Sequence, residues 1–377
     1  MRTDSYKPSR ILRLVSLAAC FALCLAFVPR LLCGRAADRF YDGDLEAQDG
    51  LARAVVRGLD ASPDLEIYAT PSLRFNGQSA VAIYQMSIMG LGQIALEHPE
   101  RRARYLPAML RAADRLTNPR TLRHATRAYG HHGLVRMQPG EGHAYLGYVN
   151  LALGMLRRVA PDNPHAALHD RLTAKLIDRI ARSPTGLIET YPGETWPPDV
   201  AAVVGSIGLH ARATGQDHSA LIEGWAPRFA ACALDGSGYL VQRVKTGTCE
   251  PLDAPRGSGT AIASYFLSFA HADLSRRLHD ALVRSGWRSL AGFGGIREYA
   301  PGHSGRGDVN AGPIVAGISA GATGFALGAA RTHADRELFV ELFRTAHLLG
   351  APGDGGFVMG GRLGNALLLA MLTARPP

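Results

Sequence analysis

The sequence predicts an all-α fold, an (α/α)6 toroid of six helical hairpins preceded by one N-terminal hydrophobic helix. Two patterns carry this expectation: strict alternation of two helix types, and a recurrence of the second type every roughly 50 to 65 residues. Composition agrees with a large globular domain. The 377 residues are 47% hydrophobic and 19% charged, with 43 glycines. Such a chain buries a sizeable core and is too apolar for intrinsic disorder.

The N-terminus comes first. Arg2, Lys7, Arg10 and Arg13 precede an apolar run from Leu14 to Val28, followed by Pro29, Arg30, Leu31 and Leu32. A basic stretch before an apolar one is an export signal. Uncleaved, Ile11 to Val28 is about 18 residues, enough to cross a bilayer as a signal anchor. The flanking cations then hold the N-terminus in the cytoplasm. This gives an anchor over 1–37 and one barrel domain over 38–377, placed in the inner membrane with the C-terminal domain in the periplasm or outside. The alternative is a secreted or periplasmic protein cut after Ala36, where Gly34 and Ala36 are small. Leu17-Ala18-Ala19-Cys20 is similar to a lipoprotein signal, but the apolar run continues past Cys20. In an exported body Cys232 and Cys249 are either a disulfide or two separate thiols.

The first helix type is amphipathic: Asp44–Leu59, Glu100–Leu116, His165–Arg182, Ser219–Ala233, Leu274–Ser285 and Ala334–Leu349. In His165–Arg182, Leu168, Leu172, Leu176 and Ile180 share one face and Arg171, Lys175, Asp178 and Arg179 another. The second type is apolar almost all round and must be buried on most sides: Gln78–Leu96, His143–Leu156, Asp199–Ala213, Ser258–Ala270, Val309–Ala330 and Arg362–Thr373. The second set forms an inner ring and the first an outer one.

Links from inner to outer helices are short, as at 160–163, 215–217 and 271–273, so the long connections gather at the N-termini of the inner helices. Long structured loops carry function, and helix N-termini add partial positive charge there. Three loops are chemically dense. Leu187 to Asp199 holds Glu189, Tyr191, Glu194, Trp196 and Asp199. Gly294 to Asn310 holds Arg297, Glu298, Tyr299, His303, Arg306 and Asp308. Gln138 to Tyr145 holds Glu141, His143 and Tyr145. Carboxylates facing each other across a cleft suit acid and base work, so Glu194, Asp199, Glu298 and Asp308 are the catalytic candidates. Tyr191, Trp196, His143, Tyr145, Tyr299 and His303 are candidate substrate contacts, and Arg256 a contact for an anionic group.

Each has a plainer reading. Asp199 after Pro197-Pro198, and Asp308 before Pro313, sit where helix caps and first-turn acids belong. Glu189 and Glu298 are suited to pairing with arginine. His131, His132 and His143 match no zinc-ligand spacing on a helix. The Gly257-Ser258-Gly259 turn lacks the strand-to-helix elbow of a serine nucleophile. No metal and no cofactor is expected. The formal charge of +9 comes from scattered arginine without a cluster, which argues against nucleic acid as a partner.

Six hairpins with acidic loops at inner-helix starts resemble the six-hairpin glycosidase superfamily of exported carbohydrate enzymes. Within it, His143-Ala144-Tyr145-Leu146-Gly147-Tyr148-Val149-Asn150-Leu151, followed by the Glu/Tyr/Pro loop, is similar to the linalool dehydratase-isomerase domain family. That resemblance implies an exported (α/α)6 barrel and pocket contacts at His143 and Tyr145. The family's dehydratase uses cysteines in the loop that here runs from Glu189 to Asp199, and this loop has none, so thiol-assisted dehydration does not carry over.

Three functions follow. The first is a membrane-tethered hydrolase or lyase of an envelope or extracellular saccharide. The second is a dehydratase or isomerase of a small apolar alcohol, favoured by a narrow apolar pocket. The third is a non-catalytic glycan-binding scaffold whose carboxylates only cap helices.

Overall fold

The computed structural model describes residues 10–60, 72–308 and 311–376. Arg2, Lys7, Val309 and Asn310, which figure in the expectations above, lie outside them. The chain is mostly helical with small sheets. Its helices are α1 (Arg10–Tyr41), α2 (Leu45–Asp60), α3 (Leu73–Glu97), α4 (Arg102–Leu116), α5 (Arg123–Tyr129), α6 (Leu146–Val159), α7 (Ala166–Arg182), α8 (Pro197–Thr214), α9 (Ser219–Ala233), α10 (Gly257–Leu267), α11 (Ala272–Ala281), α12 (Ala320–Thr332), α13 (Arg336–Gly350) and α14 (Gly361–Leu372).

Apolar patterning decides which helices pack inward. α3 packs on α6, α6 on α8, α8 on α10, α10 on α12, α12 on α14, and α14 back on α3. The amphipathic helices lie against these, α4 on α3, α7 on α6, α9 on α8, α11 on α10, α13 on α12 and α2 on α14. Residues Val200 to His210 of α8 are buried on every side. That closeness requires small residues. A Cβ on Gly205 would lie 2.3 Å from the carbonyl oxygen of Phe266 in α10, so a methyl there must push two inner helices apart. Gly205→Ala is expected to destabilise the protein by about 1–3 kcal/mol, read as a lower thermal midpoint.

The sequence pattern assigned no strands, and here the structure corrects it. β1 (Trp287–Leu290), β2 (Phe293–Arg297), β3 (Ile314–Val315) and β4 (Ile318–Ser319) form an antiparallel sheet in the order β1-β2-β4-β3. Arg297 pairs with Ile318, and Val315 also pairs with Ile318. A second hairpin joins β5 (Pro352–Gly353) to β6 (Gly356–Phe357). The helix expected over Val309–Ala330 therefore begins only at Ala320. Gly312 and Gly317 adopt left-handed φ of 65° and 81°, which breaks a helix, and the Ser319 hydroxyl caps α12 by accepting from Ala322 N–H at 3.0 Å.

Cys232, at the end of α9, is bonded to Cys249 across a separation of 17 residues. It staples the long 234–256 connection. Cys33 is a buried free thiol.

α1 is continuous through the 37/38 boundary. Its C-terminal end docks on α13: the Phe40 ring lies 5.4 Å from Phe343, and Arg336 bonds Asp38 at 2.8 Å and Asp42 at 2.7 Å. Further toward the N-terminus Leu14, Val15, Leu17, Phe21, Leu31 and Leu32 are all exposed. Among the described residues, one helix is long and apolar enough to cross a membrane, Arg74–Glu97, and 89% of its apolar window is buried inside the protein. It is a core helix.

Candidate functional site

The first turns of the inner helices converge on a cavity of about 650 Å³. α3 supplies Arg74, Phe75 and Gln78 near its start; α6 supplies Tyr148; α8 supplies Pro198 and Asp199; α10 supplies Ser258, Gly259 and Ile262. Tyr145, Tyr191, Glu194 and Trp196 come from the loops leading into α6 and α8, and Asp308 from the loop after β2. Deeper in, Val81, Ala82, Met86, Phe266, Phe325 and Leu367 make an apolar wall, interrupted by Gln85.

Asp199 is the central acid. Trp196 opens α8 with extended backbone, and Pro197 and Pro198 occupy the first turn, where a missing N–H goes unneeded. The next residue turns its carboxyl into the cavity. Tyr148 donates its hydroxyl to Asp199 Oδ1 at 2.5 Å and Thr190 Oγ1 donates to Oδ2 at 2.7 Å. Burial raises the Asp199 carboxyl to about 6, against the pull of those two hydrogen bonds. Burial also holds the Tyr148 hydroxyl well above its ordinary range, and the Asp199 charge adds to this. The two side chains are half-buried in the cavity wall and share one short hydrogen bond, and a carboxyl raised in this way marks a candidate site.

The other cavity carboxylates are engaged by arginine. Arg74 Nη1 meets Glu194 at 2.6 and 2.8 Å, and Trp196 Nε1 donates to the same carboxylate at 3.3 Å. The Arg74 guanidinium also lies 4.7 Å over the Tyr191 ring. Tyr191 stacks on Tyr145 with ring planes 8° apart. Asp308 receives Arg256 Nη1 at 2.5 Å and caps the backbone N–H of Ala311 at 2.9 Å.

Of the residues singled out by sequence, Glu194, Asp199, Asp308, Tyr191, Trp196 and Tyr145 line the cavity. Glu298, His143, Tyr299, His303 and Arg256 do not line it. Glu298 is fully buried behind the wall, accepting from Ser258 Oγ at 2.7 Å, and burial raises its carboxyl. Its backbone is pinned between Gly257 and Gly317, which turns the side chain away. Arg256 is 8% exposed and divides its guanidinium between Asp308 and Asp253, the latter at 2.8 Å, so its donors serve the fold rather than a ligand. Tyr299 lies beneath that guanidinium at 5.3 Å and donates its hydroxyl to the Arg306 carbonyl at 2.8 Å. His303 sits on an exposed turn.

His143 belongs to a second cluster. Its ring is fully buried, stacked on Tyr129 at 3.7 Å, and its Nε2 lies 2.8 Å from Glu141 Oε2. His131 Nε2 reaches the same oxygen at 3.0 Å. Burial lowers His143 to about 4, so it is neutral at physiological pH. His131, Glu141 and His143 hold their ligand atoms within 4.8 Å of one another, a donor set of the kind that binds zinc. In this arrangement Glu141 is already the shared hydrogen-bond acceptor of both rings. The cluster buttresses the acid: Tyr129 accepts from His143 N–H at 3.0 Å and donates to the Thr190 carbonyl at 3.1 Å.

Arg74, Gln78, Gln85, Tyr148, Thr190 and Gln242 are cavity or supporting residues that sequence reasoning did not single out. Only Tyr148 carried a signal, an aromatic hydroxyl in the first turn of an inner helix.

No protein-family model and no curated protein matches the chain. A solved structure described as a polysaccharide lyase is similar to 81% of this chain and 99% of its own, at 11% identity and a TM-score of 0.36. A likeness that distant carries no argument about fold or activity.

Proposed function

We propose that this chain is an exported enzyme that eliminates an oxygen leaving group from a saccharide, a carbon–oxygen lyase, with Asp199 and Tyr148 as its proton-transfer couple. The observation that carries this reading is the Tyr148–Asp199 pair inside the cavity. A glycoside hydrolase of the usual kind needs two working carboxyl groups, one acid and one base or nucleophile. Glu194 and Asp308 are each tied to an arginine, which leaves Asp199 as the cavity carboxyl poised to exchange a proton near neutral pH. One carboxylate and one phenol suffice for elimination.

Ionised Asp199 takes a proton from the carbon next to the one bearing the leaving oxygen. The C–H electron pair forms the double bond, the C–O bond breaks, and Tyr148 gives its proton to the departing oxygen. Asp199 then returns the captured proton to the Tyr148 oxygen through their 2.5 Å hydrogen bond, which restores both groups. Trp196, half-buried at the mouth, offers a flat face for a sugar ring.

A second reading, dehydration of a small apolar alcohol, is favoured by the wall of Val81, Met86, Phe266 and Phe325. It uses the same couple with water as leaving group. We read the circuit of six inner helices and its outer partners as an (α/α)6 toroid over 38–377. The apolar face of α1 and its basic flank support a membrane tether, and the Cys232–Cys249 bond suits an oxidising compartment.

The deciding experiment incubates the protein with neutral and uronate-containing polysaccharides and with small apolar alcohols, and examines products by NMR. A new carbon–carbon double bond is the expected result. New reducing ends without unsaturation contradict the lyase reading and restore hydrolysis.

A further inference from the structure

Gln85 is fully buried in α3, it lines the cavity, and neither its amide nitrogen nor its amide oxygen has a hydrogen-bond partner among the described residues. The surrounding wall is apolar, so nothing nearby answers it. The Gln242 side-chain oxygen is likewise buried, unpartnered among the described residues and part of the lining. A Cβ on Gly259 would come within 2.5 Å of that oxygen, so the glycine lets the Gln242 amide keep this position.

A buried amide with donor and acceptor both unused is costly unless something polar meets it. Gln85 lies two helical turns beyond Gln78, whose amide donates to Tyr191 at 3.2 Å near the mouth. At about 1.5 Å rise per residue the two amides stand roughly 10 Å apart along α3. The lining residues that α3 places between them, Val81 and Ala82, are apolar.

We infer that the substrate is an amphiphile polar at both ends: its reacting oxygen sits at Tyr148 and Asp199, an apolar segment spans the hydrocarbon wall, and a second hydroxyl binds Gln85 at the deep end. This rests on the cavity being the active site and specifies what enters it. A saccharide whose apolar aglycone carries a hydroxyl fits, as does an apolar diol. An alcohol with a single oxygen leaves Gln85 unanswered. The hydroxyl both donates to the Gln85 oxygen and accepts from its nitrogen, which neither a hydrocarbon terminus nor an ether does.

The test compares octane-1,8-diol with octan-1-ol by ligand-observed NMR on wild type and on Gln85→Leu. The monool is the more hydrophobic probe and would bind tighter in an indifferent apolar cavity. The ratio of diol to monool dissociation constants is expected to rise about tenfold in the variant, the loss from one unmet polar contact. An unchanged ratio, or a wild-type cavity that takes up neither probe, overturns the inference. Gln85→Met serves the same comparison if the leucine variant does not fold. Because the readout is binding, its failure leaves the Asp199–Tyr148 chemistry standing. Absence of turnover together with the expected tenfold rise in the ratio would instead strike the chemistry alone.

Discussion

Asp199→Asn is expected to lower kcat/KM by about 10³-fold, within the usual range for losing a proton-transfer group, while raising the thermal midpoint at pH 7 by a few degrees. Both effects have one cause. Asparagine matches the carboxylate in shape and still accepts from Tyr148, but it neither takes nor returns a proton. The stability gain follows from the shift of the Asp199 carboxyl from 3.8 to about 6 by burial. A group raised on folding contributes stability that is fully present below its unfolded value and is lost as pH rises through its folded value. The wild type therefore loses this contribution between about pH 4 and 6, and at pH 7 a buried charge opposes folding. A shift of about two units corresponds to roughly 3 kcal/mol. The gap in stability between Asp199→Asn and wild type should open across that window and close below pH 4. Denaturant melts of both proteins from pH 4 to 7 check this. A variant that is less stable at pH 7 would mean that the carboxylate is a structural cap.

Arg256→Ala is expected to destabilise the protein by about 2–3 kcal/mol, because it strands Asp253 and Asp308 beside each other without their shared cation. Arg256 is nearly buried and bonds both carboxylates, with Tyr299 packed beneath it. The loss should appear in thermal melts of the free protein. An anion-binding arginine would behave oppositely: stability would hold and KM would rise for anionic substrates only. The first outcome makes Arg256 the post that holds Asp308 at the cavity mouth.

Helix periodicity was legible in the sequence because inner and outer helices differ so sharply in polarity. Ser219–Ala233 was expected and is observed, and His165–Arg182 differs from α7 only at its first residue. The dense loop before α8 was legible too, since Glu194, Trp196 and Asp199 crowd acid and aromatic side chains into a few positions at a helix start. What escaped depends on distance in sequence. Arg74 meets Glu194 across 120 positions, and no local pattern announces that pairing. Gln85 is masked by the apolar helix around it. Glu298 sits in an acidic, aromatic loop like those that do reach the cavity, yet one turn of backbone at Gly317 sends it behind the wall. The short strands from Trp287 to Arg297 are too rich in glycine and too brief to show alternation.

The central claim is that Asp199 is a cavity carboxyl that exchanges a proton near neutral pH. A ¹³C NMR titration of the side-chain carboxyl, assigned by its disappearance in Asp199→Asn, tests it without a substrate. The account predicts an apparent pKa of about 6. A value at or below the ordinary 3.8 would make Asp199 a fixed anion and contradict the account.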